Sequence, residues 1–184
     1  MKVIPTRIRD IKIIEPVVFE DSRGTFFEVL SEKKFHEQTG VSDRFVQDNQ
    51  SVSVKNVLRG LHYQIKHPQG KLVRAVRGEV FDVAVDLREK SATFGQWVGT
   101  RLSEENKKMI WIPGGFAHGF LVLSETATVI YKTTDYYHPE HERCLKWNDP
   151  TLNINWPFAD GAIPILSRKD NDSGKDLLNA EIFS

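Results

Sequence analysis

Cysteine is nearly missing from this 184-residue chain: Cys144 stands alone. No internal disulfide is possible, a usage that fits a reducing compartment, and the expected location is the cytoplasm. No catalytic signature surrounds Cys144, which is read as a spectator. Long apolar runs are missing as well, and nothing approaches the ~18 residues of a membrane-spanning helix. Residues 1–10 are broken by Pro5 and by charges before any apolar stretch develops, so no secretory leader is expected. Neither sign of charge is in excess. Lys plus Arg and Asp plus Glu number 25 each, which leaves no electrostatic footprint for nucleic acid or for an anionic membrane surface. Internal repeats, low-complexity tracts and linkers are lacking too, and the length suits one domain over residues 1–184.

What the chain has instead is a succession of short alternating segments. Residues 11–14 and 17–19, split by Pro16, suit edge strands, and such edges are expected in a dimer interface. Residues 21–24 are expected to turn into a strand over 25–30, with Phe26 and Glu28 on one face. Ser31 and Gly40 bracket the best early helix. Residues 45–54 return to strand, with Gln47, Asn49 and Ser51 on one face. That face is either solvated surface or a polar cavity wall, surface being the commoner use of such alternation. Residues 57–85 read as hairpin-linked strands interrupted at Gly78, which puts His62 and Lys71, a base and a cation, on neighbouring strands. Further strands are expected over 96–102, 108–112, 119–123 and 127–133, around a Pro-Gly-Gly corner at 113–115. About nine short strands with few helices predict an all-β sandwich or jelly roll rather than a βαβ fold. Residues 135–184 are turn-rich and proline-interrupted. They are expected to lie as ordered loop and tail across the barrel, with one turn of helix near 175–179.

Pro113, Gly115 and His118 keep the spacing Pro-x-Gly-x-x-His, and His62, Gln64, Lys71 and Gly78 keep the frame of a His-x-His, Glu, Gly motif. In both respects the chain resembles the two-motif barrels of the cupin superfamily, which implies a cupin-type jelly-roll barrel. Within that frame the second histidine is Gln64 and the glutamate is Lys71. An ammonium at a ligand position repels a divalent cation. With only His62 and His118 left of the ligand set, no catalytic metal is expected, and no other cofactor.

A closer resemblance rests on segments in order along nearly the whole chain: Asp21-Ser-Arg-Gly-Thr-Phe-Phe-Glu, Phe45-Val-Gln-Asp-Asn-Gln-Ser, Leu58-Arg-Gly-Leu-His-Tyr-Gln, Gln69-Gly-Lys-Leu-Val-Arg-Ala-Val-Arg-Gly, Ile112-Pro-Gly-Gly-Phe-Ala-His-Gly-Phe, Tyr131-Lys-Thr-Thr-Asp-Tyr-Tyr and Ile165-Leu-Ser-Arg-Lys-Asp. In these the chain resembles the dTDP-4-dehydrorhamnose 3,5-epimerases. The resemblance implies inversion of C3 and C5 on either side of the C4 ketone of a 4-keto-6-deoxyhexose. Both hydrogens are α to one carbonyl, so one base, one cation at the oxygen and one acid on the opposite face serve both steps. His62 is the base, since an imidazole exchanges protons near neutral pH. By the resemblance, Asp170 orients it, Tyr131 is the acid, and Lys71 stabilises the enolate oxygen, with its charge expected to lower the Tyr131 pKa.

The same resemblance assigns the substrate contacts. Arg23 and Arg59 would hold the diphosphate of a dTDP-sugar, and Gln47 and Asn49 the thymidine part with Glu28 nearby, which moves them to the cavity wall. His118, Glu142 and Lys169 fall on binding positions, Tyr137 lies near the sugar, and Phe19 or Phe26 would stack on the base. Arg23 is expected to reach a partner subunit's cavity in a strand-exchanged homodimer. Three rivals stay open at this stage: an epimerase acting on C3 or C5 alone, a metal-dependent cupin, and a noncatalytic nucleotide-sugar binding module.

Overall fold

The alternating segments pair into two facing sheets. The computed structural model describes residues 1–159 and 161–184. Its strands are β1 (Lys2–Pro5), β2 (Lys12–Glu15), β3 (Val18–Asp21), β4 (Gly24–Phe27), β5 (Gln47–Val54), β6 (Leu58–Gln64), β7 (Lys71–Arg77), β8 (Glu79–Asp86), β9 (Trp97–Ser103), β10 (Met109–Ile112), β11 (Phe116–Val122), β12 (Thr126–Thr133) and β13 (Glu142–Cys144). A six-stranded sheet runs β1-β2-β10-β7-β12-β5 and a five-stranded sheet runs β13-β6-β11-β8-β9, while β3 and β4 form a separate hairpin. Every strand pair is antiparallel. The expected all-β, cupin-type jelly roll with a few short helices is what forms.

The inward residues change character along each strand. On β7 they run Lys71, Val73, Ala75; on β12, Tyr131, Val129, Ala127; on β11, His118, Phe120, Val122. The apolar members join one buried cluster with Ile110, Val80 and Leu102. One end of the barrel is therefore a dry core and the other is polar, which is where a site can form without emptying the core. Side chains that point out of the barrel are covered as well. Leu61, Tyr63, Val83, Val85 and Leu121 pack against Leu145, Leu152, Trp156 and Leu177. This apolar outer face explains why residues 145–158 and 177–183 pack against the five-stranded sheet. Outside the other sheet, Leu72, Met109 and Trp111 are capped by Phe35 of helix α1 (Glu32–Thr39). Ser31 accepts a hydrogen bond from the Lys34 N–H as N-cap, and Gly40 closes the helix at φ 73°.

Several expectations need correction. His62 and Lys71 are not on neighbouring strands: β6 and β7 lie in opposite sheets. The connection between them holds Pro68 and Gly70 and crosses the barrel instead of turning back as a hairpin. Side-chain alternation identifies a strand but not its partner. Strand β2 is internal, between β1 and β10, because buried Ile13 and Ile14 give it two covered faces. The strand expected over 25–30 is only Gly24–Phe27, and the one expected from 45 starts at Gln47. Strand β13 lies inside what was expected to be loop, and one 3-10 turn, Leu177–Asn179, matches the helical turn expected near 175–179.

Candidate active site

The polar end of the barrel encloses a cavity of about 500 Å³. One wall is the six-stranded sheet, which contributes Gln47 and Asn49 from β5, Lys71 from β7 and Tyr131 from β12; Asn49 is the register partner of Tyr131. The other wall is the five-stranded sheet, with Arg59 and His62 from β6, His118 from β11 and Glu142 from β13. His118 is the partner of His62, and Cys144 the partner of His62 on its other side. The close approach of β6 and β11 needs glycine. A Cβ on Gly60, whose φ is +120°, would sit 2.5 Å from the Gly119 Cα.

Asp170 and Lys169 reach the cavity from helix α2 (Arg168–Asp172). Ser167 caps that helix: its hydroxyl accepts from the Asp170 N–H at 3.1 Å and donates to the Asp170 carboxylate at 2.9 Å. The other carboxylate oxygen lies 2.5 Å from His62 Nε2. The ring donates its Nε2–H there, which leaves the basic lone pair on Nδ1. Burial raises the Asp170 pKa, but the hydrogen bond and charge of His62, the Ser167 hydroxyl and Lys169 outweigh it, and the net shift is downward. Asp170 is thus held as a carboxylate behind the imidazole.

Lys71 is 7% exposed. Burial pulls its pKa down to about 8, against the opposing charges of Asp82 and Glu142. Behind it His118 donates Nε2–H to Asp82 at 2.8 Å. Asp82 is fully buried, and that burial raises its pKa in spite of His118 and Lys71. Both histidines of the cavity are committed to carboxylates, and an ammonium lies in the same floor. Burial pushes the Cys144 thiol up to about 12, so in the metal-free protein it stays protonated beside His62.

Tyr131 differs from expectation. Burial raises its pKa, and the cation that opposes this is Arg59 rather than Lys71. The phenol is therefore held protonated, a poised donor rather than an acidified one. Tyr137 donates its O–H to Glu142 at 2.5 Å, which together with burial raises the Tyr137 pKa to about 12. Glu142 also pairs with Lys169.

The single chain does not bring every expected residue to the cavity. Arg23 lies on the exposed turn of the β3–β4 hairpin, bonded to Asp21 at 2.6 Å. Phe19 and Phe26 on that hairpin are 62% and 73% exposed, and Glu28 pairs with Lys34 on the surface. Gln47 and Asn49, by contrast, leave the commoner surface reading and line the cavity. Two residues were not foreseen. Asp82 was signalled by a carboxylate between Val80 and Ala84 on the inward face of an apolar strand, and Ser167 by the Ser-x-x-Asp spacing of an N-terminal cap.

A family model described as dTDP-4-dehydrorhamnose 3,5-epimerase matches residues 5–176. A Pseudomonas aeruginosa protein of that name is 59% identical over 183 residues, 100% of this chain and 99% of its own. The crystal structure of a dTDP-6-deoxy-D-glucose-3,5-epimerase from Legionella pneumophila, in complex with dTDP-4-keto-L-rhamnose, matches with a TM-score of 0.94 at 53% identity and covers 98% of this chain and 94% of that one. A 3'-monoepimerase from Streptomyces bikiniensis, in complex with dTDP-quinovose, matches with a TM-score of 0.87 at 34% identity over 95% of this chain and 87% of its own.

Proposed function

The chain belongs to the dTDP-4-dehydrorhamnose 3,5-epimerase family, and from that premise we propose how its cavity performs the reaction. The enzyme inverts C3 and C5 of dTDP-4-keto-6-deoxy-glucose and forms dTDP-4-keto-L-rhamnose for dTDP-L-rhamnose biosynthesis. One observation carries the assignment of roles: His62 and Tyr131 belong to opposed walls of one cavity that Lys71 also lines. A sugar ring between those walls meets a base on one face and a proton donor on the other.

His62 takes the hydrogen from C5 or C3 and becomes an imidazolium, which the Asp170 carboxylate stabilises. The C–H electrons form the C=C bond of an enolate, and the negative charge moves to the C4 oxygen. Lys71 stabilises that charge; a donor aimed at such an oxygen contributes about 3–4 kcal/mol. Tyr131 gives its phenolic proton to the carbon from the opposite face, and the configuration inverts. His62 then loses its proton to solvent and Tyr131 regains one, so solvent hydrogen is incorporated at each inverted carbon. Tyr131→Phe separates the two halves: inversion falls by about 10²–10⁴-fold while hydrogen exchange on the His62 face persists. Equal loss of both overturns the division of roles.

In this reading Arg59 and the partner's copy of the hairpin arginine hold the diphosphate, Gln47 and Asn49 the thymidine part, and His118, Glu142, Lys169 and Tyr137 the sugar end. Phe26 and Glu28 complete the nucleotide site across a homodimer, which puts Arg23 to use in the neighbouring cavity. The exposed hairpin aromatics support this, as does edge strand β5 with Val52 and Val54 uncovered. No helix among the described residues is long and apolar enough to cross a membrane. The lone buried cysteine supports a cytoplasmic setting.

A further inference from the structure

Beside the mouth of the cavity three imidazoles and two carboxylates gather outside the reacting centre. His67, in the β6–β7 connection, stacks on His138 with ring centroids 4.4 Å apart and planes 24° apart, and His141 lies 5.7 Å from His67. Asp135 places Oδ2 3.4 Å from His67 Nδ1. One ligand atom from each of His67, Asp135 and His138 lies within 4.8 Å of the others. We propose that His67, Asp135 and His138 form a zinc-class divalent metal site at the rim of the cavity, separate from His62, Lys71 and Tyr131.

The donor set is the right kind. Two imidazoles and one carboxylate suit a late first-row divalent ion and leave a position for water. Metal–nitrogen bonds of ~2.0–2.1 Å in a tetrahedron put ligand atoms about 3.4 Å apart. The His67–Asp135 pair already has that separation, while the His138 ring, stacked on His67 at 24° between planes, must turn out of the stack to aim a nitrogen lone pair at the same ion. Glu140 Oε1 lies 3.5 Å from His138 Nδ1. A carboxylate there orients a ligating imidazole through its second nitrogen.

The site is also tied to the cavity. The Gln64 side chain donates to the carbonyls of His67 and Tyr136 and accepts from the His138 N–H at 2.7 Å. A bound ion would fasten the 135–138 segment, which carries Tyr137, to the end of the strand that carries His62.

Titration of the metal-free protein with Zn²⁺ by calorimetry tests the proposal. The expected result is one ion per chain in the wild type and in Cys144→Ser, with the Kd raised by about 10–100-fold or more in His138→Ala and in His67→Ala. Circular dichroism melts check that both alanine variants stay folded; either folded variant suffices. The absence of saturable binding, an unchanged Kd in the folded alanine variants, or loss of the ion in Cys144→Ser overturns it. The last outcome would move the ion to His62, Cys144 and Asp170.

Discussion

At the scale of single residues, Lys71 carries the most consequence for the proposed chemistry. Its ammonium is useful only while charged, and burial brings its pKa down to about 8. In the free enzyme kcat/KM is therefore expected to fall as pH rises through about 8. Lys71→Met should lower kcat by about 10²–10³-fold and leave a residual activity without that alkaline fall. A pH–rate profile of both proteins checks this, and an unchanged limb in the variant contradicts it. Stability follows the opposite sign. Between about 8 and the ordinary 10.5 the unfolded chain holds more of the Lys71 proton than the folded one, so this group's contribution to stability improves with rising pH. Lys71 and His62 were legible because their motif frame survives in the sequence. The Asp170 partnership was not, since it closes between residues 108 positions apart, and only resemblance to a known family named it. The upward shift of Tyr131 is not legible because a sequence does not display burial, the largest effect on that phenol.

At the scale of elements, local signals were read well and pairing was not. Helix α1 begins and ends where Ser31 and Gly40 indicate, because capping is a contact within one turn. Strand partners depend on long-range packing, so side-chain alternation does not distinguish the crossing between β6 and β7 from a hairpin. The site's geometry depends on the tight β6–β11 pair, where His62 faces His118. Gly60→Ala forces a Cβ to within 2.5 Å of the Gly119 Cα on a backbone at φ +120°. Unfavourable backbone and overpacking together should cost about 2–4 kcal/mol, seen as a lower urea midpoint. A midpoint within error of wild type would show that the two strands do not need this contact distance.

At the scale of the whole molecule, the single chain supplies the proposed base, acid and cation but leaves Arg23 on an exposed hairpin. If Arg23 serves a partner's cavity, Arg23→Ala and His62→Ala chains complement each other. A mixed dimer holds one cavity with both residues intact, so refolding the two inactive variants together at equal amounts should restore about a quarter of wild-type activity. No recovery, in a mixture shown by mass spectrometry to exchange subunits, contradicts the crossed arrangement. The C-terminal third does two jobs: Leu145, Leu152, Trp156 and Leu177 cover the outer face of the five-stranded sheet, and Asp170 reaches His62. The most direct measurement for the whole account is hydrogen exchange in deuterated water with dTDP-4-keto-6-deoxy-glucose, followed by NMR. The wild type should place deuterium at both C3 and C5, and folded His62→Ala at neither. Deuterium at either carbon in His62→Ala at the wild-type rate would show that another group removes the proton.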